Sequence, residues 1–442
     1  MNAIRIFCWG LSCALLISLN ACAQDFIQSG PMNGYSEMRE AAVWVQMNDA
    51  CIVELHYWPE DEPDKMKRSL AKSADPEKAY AVHLIANDLE PGTSYRYKIL
   101  ANGEEQNGEQ EYRFRTQVLW QYRSDPPDVR FAAGSCAFVN EEEYDRPGRA
   151  YGDAYHIFER MADAQPDMTL WLGDNVYFRE VDWFSRSGML SRYTHARSLP
   201  ELQRLLHTGQ HYAIWDDHDY GPNDAVGVFP HKDKAKEAFE LFWANNGYGL
   251  DGTGGVSGFF QFADADFFLL DNRWHRTDYN QKGAEHRMLS KEQIDWLVQN
   301  LAFSRAPFKF VAVGSQVLND AAVWENYANY PEERQYLLDR IADEGIKGVV
   351  FLTGDRHHSE LCKVEHKGVV MYDLTLSPLT SGTHEGGDAA TSNRVEGTLY
   401  NERNFGLLEI TGPRKERVLT MRLMNNQGEE VWRRSLNAAD WK

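Results

Sequence analysis

Apolar residues fall into two regimes along this chain. From about residue 29 to 116 they alternate with polar ones. Residues 42–47, 51–58, 80–85, 95–100 and 112–115 each read as strands, separated by clusters of Pro, Gly, Asn and Asp. An all-β unit is therefore expected over 29–117. A linker at 117–128, with Pro126-Pro127 in it, separates this unit from the rest of the chain. Beyond it the alternation gives way to short continuous apolar runs at 130–133, 168–172, 212–215, 267–270, 308–313 and 347–353. Helical periodicity intervenes at 150–164, 232–244, 291–300 and 331–342. That sequence of elements predicts an α/β unit over 129–440. Runs at 405–410, 417–424 and 430–436 are expected to close it as antiparallel edge strands.

What ends the apolar runs carries the chemistry. They stop in Gly134-Ser135-Cys136, Gly173-Asp174 with Tyr177 just beyond, Asp216-Asp217-His218-Asp219, Asp271-Asn272-Arg273, Gly314-Ser315-Gln316 and Gly354-Asp355-Arg356-His357-His358. In an open α/β sheet, ligands sit beyond the carboxyl ends of the strands, so these residues fall along one functional edge. Asp174, Asp217, Asp355 and His357 are oxygen and imidazole donors able to build a site for two or more cations. Such a site clamps the attacking and leaving oxygens of a phosphoryl displacement. His218 is a candidate proton donor to the leaving oxygen, with Asp219 fixing its tautomer, and Arg273 and Arg356 are candidates for gripping phosphate. Read singly, Cys136 is more often a core thiol than a ligand and Tyr177 more often a packed aromatic, His358 reads as a supporting or structural residue, and Asp216 is as readily a turn residue as a ligand. The aromatic and basic segment 179–206 is expected to form a lid, and the Gly- and Asn-rich segment 245–258 a long loop beside the site.

Composition narrows the function. The net charge of −20 over 442 residues argues against a nucleic-acid binder but permits anionic substrates if cations dominate the local field. At the N-terminus, Arg5 precedes an apolar stretch at 6–19 that is short for a membrane span. It ends in Leu19-Asn20-Ala21-Cys22, which resembles a bacterial lipobox. Residues 1–22 are thus expected to be a lipoprotein signal, with a lipid anchor at Cys22 as the sole membrane attachment. The alternative is an ordinary cleaved signal peptide, and both predict export, to the periplasm or cell surface. The six cysteines include Cys51, Cys136 and Cys362 beyond the leader, too few for a disulfide framework.

Taken in order, the Cys136, Asp174/Tyr177, Asp217/His218 and Asp355/His357 motifs resemble those of the PhoD-like alkaline phosphatases, within the calcineurin-like metallophosphoesterases. Residues 89–97, Leu-Glu-Pro-Gly-Thr-Ser-Tyr-Arg-Tyr, resemble the tyrosine corner of a fibronectin type III domain. The resemblance implies a four-layer α/β/β/α metallophosphoesterase domain preceded by an immunoglobulin- or fibronectin-like β-sandwich. It implies Fe3+ on Cys136, Asp174 and Tyr177 with His357 nearby, and Ca2+ on Asp174, Asp217, Asn223 and Asp355, other divalent metals being alternatives. The implied reaction is attack of a metal-bound hydroxide on a small-molecule phosphate monoester. Alternatives are a phosphodiesterase acting on phospholipid headgroups, nucleotides or cell-wall phosphodiesters, and a non-catalytic surface lipoprotein with a binding role. Purple acid phosphatases share the Gly-Asp-x-x-Tyr turn but differ from this chain in their first and last motifs.

Overall fold

The computed structural model describes residues 26–441 apart from 107, 109, 251, 284 and 387–389. The leader over 1–22, with Cys22, lies outside the described residues. No helix among those described is long and apolar enough to cross a membrane.

The alternating N-terminal pattern folds as two antiparallel sheets. One has the order Ile27–Ser36, Ala41–Met47, Ala81–Ala86. The other centres on Ile52–Pro59 and Ser94–Ala101, with Tyr112–Arg115 paired to the latter. Along Ser94–Ala101 burial alternates at every residue, turning Tyr95, Tyr97, Ile99 and Ala101 inward against Val43, Val53, Leu55 and Leu84. The Tyr95 hydroxyl accepts the Glu90 N–H at 2.8 Å, tying the strand back to the chain before it.

The Ala41–Met47 strand is buried at every position because it serves two cores. Ala41, Val43, Val45 and Met47 face the sandwich, while Ala42 and Trp44 face the helices of the α/β unit. There Trp44 donates from Nε1 to the Leu241 carbonyl at 2.8 Å and packs on Phe242 at 5.7 Å between ring centroids. The neighbouring strand, Ile27–Ser36, has no alternation to betray it. Tertiary partners hold it: Tyr35 N donates to the Ala244 carbonyl at 3.1 Å and Ser36 N to Gln210 Oε1 at 3.0 Å. The segment expected to be a linker is also tied down, through Gln117 to the Gln261 carbonyl at 2.8 Å and Arg417 to the Pro127 carbonyl at 2.8 Å.

Two six-stranded sheets form the centre of the remainder. In the first, Gln210–Ile214, Met168–Leu172 and Val129–Gly134 run parallel, and Asn404–Thr411, Val418–Asn425 and Glu430–Asn437 continue the sheet antiparallel. In the second, Ala265–Leu269, Phe308–Val313, Val349–Thr353 and Val369–Thr375 run parallel, flanked by antiparallel Gly258–Phe262 and Glu360–His366. The sheets stack through Phe131, Leu170, Leu172, Ile214, Phe267, Phe310 and Leu352. Phe131 meets Phe267 and Phe310 edge-on, at 5.4 and 5.1 Å. Helices cover both outer faces, so the layering is α/β/β/α. Continuous apolar runs are what strands buried on both faces require.

The structure departs from the sequence expectations in several places. Only Glu430–Asn437 of the last strands lies at an edge, because Asn404–Thr411 pairs with Val129–Gly134 in the sheet interior. The helix expected over 150–164 is confined to Ile157–Asp163. The segment 179–206 is not a loop lid. It contains helices Arg186–Arg197 and Pro200–Leu206, whose Met189, Leu190, Tyr193, Leu202 and Leu205 are buried in the outer core.

Candidate active site

The carboxyl ends of the central strands from both sheets meet, and their backbone there is unusual. Cys136, Asp174, Asp355 and His357 all have positive φ, at 61°, 51°, 67° and 55°. Non-glycine residues adopt this left-handed conformation at a cost, and such strain concentrates at functional sites. The strand ends also approach one another closely. A Cβ on Gly173 would lie 2.7 Å from Asp216 Cβ, and one on Gly314, from the other sheet, 2.4 Å from Asp216 Cγ. The two strand ends thus close around the Asp216 side chain.

Cys136, Asp174 and His357 bring potential ligand atoms within 4.8 Å of one another, as do Asp174, Asp217 and His218, so Asp174 belongs to both groups. The Cys136 Sγ lies 3.6 Å from Asp174 Oδ2, which also accepts the Tyr177 hydroxyl at 3.1 Å. His357 turns Nε2 toward Tyr177 Oη at 3.5 Å and Ser381 Oγ at 3.4 Å, while its Nδ1 meets the Tyr151 hydroxyl at 3.1 Å. Tyr177 stacks beside His218 with ring centroids 4.1 Å apart. Asp217 accepts the Asp224 N–H at 2.8 Å and lies 3.8 Å from His218 Nε2. Asn223, Asp355, Arg356 and His357 line the same cavity of about 240 Å³.

Burial and crowded negative charge dominate the electrostatics. Burial pushes the Asp174 and Asp355 carboxyls well above the usual range, helped by Asp217 and Asp216 respectively. It also pushes up the Cys136 thiol and the Tyr177 phenol, each further raised by Asp174. His357 is driven down to about 3 by burial and by the neighbouring His218 and Arg356. Asp217 goes the other way: burial raises it, yet the His218 ring and Arg273 bring it to about 2.

This donor set fits metal ions. Thiol, phenol, carboxylate and imidazole converge from separate loops, and Asp217 Oδ1 is buried with no hydrogen-bond donor among the described residues. A third acidic group, Asp216, Asp217 and Glu325, has the same spacing but already contains its counter-charge in Arg273.

That arrangement corrects the role expected for Arg273. Its side chain is fully buried, donating from Nε to Asp216 at 2.5 Å and pairing with both oxygens of Glu325, so it cannot reach a substrate. Asp219 is likewise not a partner of His218. It accepts from Asn175 N at 3.0 Å and Asp216 N at 3.0 Å, capping the short helix that carries His218. His218 has Asp217 beside it instead.

Sequence reasoning missed Tyr151, Trp324 and Glu325, which line the cavity. None lies in a motif at a strand end, so no local signal marks them. Ser377 and Ser381 stand in the Ser-Pro-Leu-Thr-Ser-Gly stretch, and the Ser377 hydroxyl bonds Cys136 Sγ at 3.2 Å.

Residues 252–416 match the model of the PhoD-like phosphatase family, and residues 25–119 match a domain of unknown function, DUF7800. Alkaline phosphatase D of Bacillus subtilis (strain 168) is 24% identical over 352 residues, covering 67% of this chain. The match spans 56% of that relative's length. The solved structure of PhoD superposes with a TM-score of 0.75 at 18% identity, over 94% of this chain and 90% of that one. A purple acid phosphatase from yellow lupin seeds superposes with a TM-score of 0.62 at 12% identity, over 92% and 74%. Both share the mixed α/β scaffold. The family match over residues 252–416, the homologue and the shared scaffold make this chain similar to the PhoD-like phosphatases.

Proposed function

We propose that this protein is an exported, metal-dependent phosphoesterase that hydrolyses small phosphate monoesters. The observation that carries the reading is the convergence of Asp174, Asp217, His218, Asp355 and His357 on one cavity, with Cys136 and Tyr177 against Asp174 behind them and Asp174 common to two ligand groups. In this reading Cys136, Asp174, Tyr177 and His357 hold Fe3+, and Asp174, Asp217, Asn223 and Asp355 hold Ca2+. The cations would acidify an attacking water and neutralise charge on the phosphoryl oxygens. Arg356, on the cavity wall, binds a phosphate oxygen, and His218 delivers a proton to the leaving oxygen while Asp217 orients its ring. Arg273 and Asp219 act from beneath as positioning residues. We assign residues 29–117 as a brace for the catalytic unit over 129–440, and residues 1–22 as a lipoprotein signal leaving an anchor at Cys22.

The test is elemental analysis of the purified protein together with hydrolysis of a chromogenic monoester and its matching diester. Iron with calcium, and monoester turnover lost in Asp174→Ala and Cys136→Ala, supports the proposal. Faster diester turnover would replace the monoester reading with a phosphodiesterase. Turnover that survives complete metal removal would overturn the mechanism.

A further inference from the structure

The cavity has a polar floor, but one part of its rim is aromatic and open. Trp324 lines it with 58% of its surface exposed, which is uncommon for so large an apolar side chain. Its backbone is left-handed, with φ of 48°, a conformation that disfavours bulky residues. Neighbouring bonds hold it there. Glu325, the next residue, is clamped by Arg273 Nη1 at 2.8 Å and Arg276 Nη2 at 2.7 Å, and the Trp324 carbonyl accepts Asn329 Nδ2 at 2.6 Å. The ring itself is oriented by the Arg356 guanidinium, 6.0 Å from its centroid, and by His384, edge-on at 6.0 Å. A strained, braced and exposed indole beside the phosphate-binding arginine is a preorganised stacking surface.

We infer that Trp324 is a specificity residue that stacks on the leaving group, so that the enzyme prefers phosphate esters whose alcohol carries a planar ring. The inference rests on the phosphoesterase reading, and it adds the substrate class. With phosphate against Arg356 and the cations that the floor carboxylates would hold, the alcohol part points to the rim, where a flat ring gains contact with the indole that a puckered one cannot.

The experiment compares kcat/KM for benzyl phosphate and cyclohexylmethyl phosphate, alcohols of similar size and leaving ability that differ in planarity. The wild-type enzyme should favour the benzyl ester by roughly five- to tenfold. Trp324→Asn, chosen because Asn tolerates a left-handed backbone, should bring the ratio to near one, and Trp324→Phe should retain a preference. A wild-type ratio near one, or a ratio that survives in Trp324→Asn, overturns the inference while leaving the phosphoesterase reading standing. Turnover of neither ester by the wild-type enzyme overturns both.

Discussion

Tyr151 holds its hydroxyl 3.1 Å from Nδ1 of His357, on the ring edge opposite the one that faces Tyr177 and Ser381. A hydrogen bond at one imidazole nitrogen orients the ring and sets which nitrogen is free for a ligand. Tyr151→Phe should therefore weaken metal binding about 10–100-fold, the usual range for a residue that orients a ligand. Metal titration of the stripped protein measures it. An unchanged affinity would assign Tyr151 to cavity shape alone.

Arg273 should matter through stability rather than substrate affinity. Its guanidinium is the buried counter-charge to Asp216 and Glu325. Removing one partner of a buried ion pair leaves uncompensated charge, so Arg273→Ala should cost about 3–5 kcal/mol. Denaturant unfolding reads this directly. A variant of native stability with a raised KM would restore the phosphate-gripping role expected from sequence.

Glu360 supplies a pH dependence through its contacts with His358, Asn319 and Arg394. Burial raises its carboxyl, but His358, Asn319 and Arg394 outweigh this and hold it down at about 2, against an ordinary 4.5. A depressed carboxyl stabilises the fold fully above the unfolded value and loses that contribution as pH falls through the folded one. The stability gap between wild type and Glu360→Gln should be on the order of 3 kcal/mol at neutral pH. It should close between pH 4.5 and about 2. Urea midpoints measured across that range decide it, and a constant gap would disprove the linkage.

The contact between the N-terminal sheets and the α/β unit should be sensitive at Gly34. A Cβ there would lie 2.4 Å from Ala244 Cβ and 2.9 Å from its carbonyl oxygen. Gly34→Ala should destabilise by about 1–3 kcal/mol through overpacking. Adding Ala244→Gly should recover part of the loss in thermal melts, since it removes one of the colliding atoms. Full tolerance of Gly34→Ala would mean that the two parts yield at this seam.

How far the sequence was legible depends on the range over which each feature is set. Buried parallel strands and the half-buried strand Ser94–Ala101 declare themselves locally, because period and apolarity follow from which faces are covered. The donor residues at strand ends were also readable, since strand-end turns determine which loops point toward a common edge. By contrast, Ile27–Ser36 has no alternation of its own, and beyond its pairing with Ala41–Met47 it is held by Ala244 and Gln210 from far along the chain.

Roles were less legible than positions. Sequence alone determined the succession of elements, the α/β class and the donor types available at one sheet edge. Tertiary structure decided which donors meet, that Asp174 serves two groups, and that Tyr151 backs His357. It also turned Arg273 inward to Asp216 and Glu325, and Asp219 to a helix cap. The physical reason is that a side chain's identity fixes its charge and hydrogen-bonding capacity. Its pKa, exposure and partner depend on which distant residues pack around it.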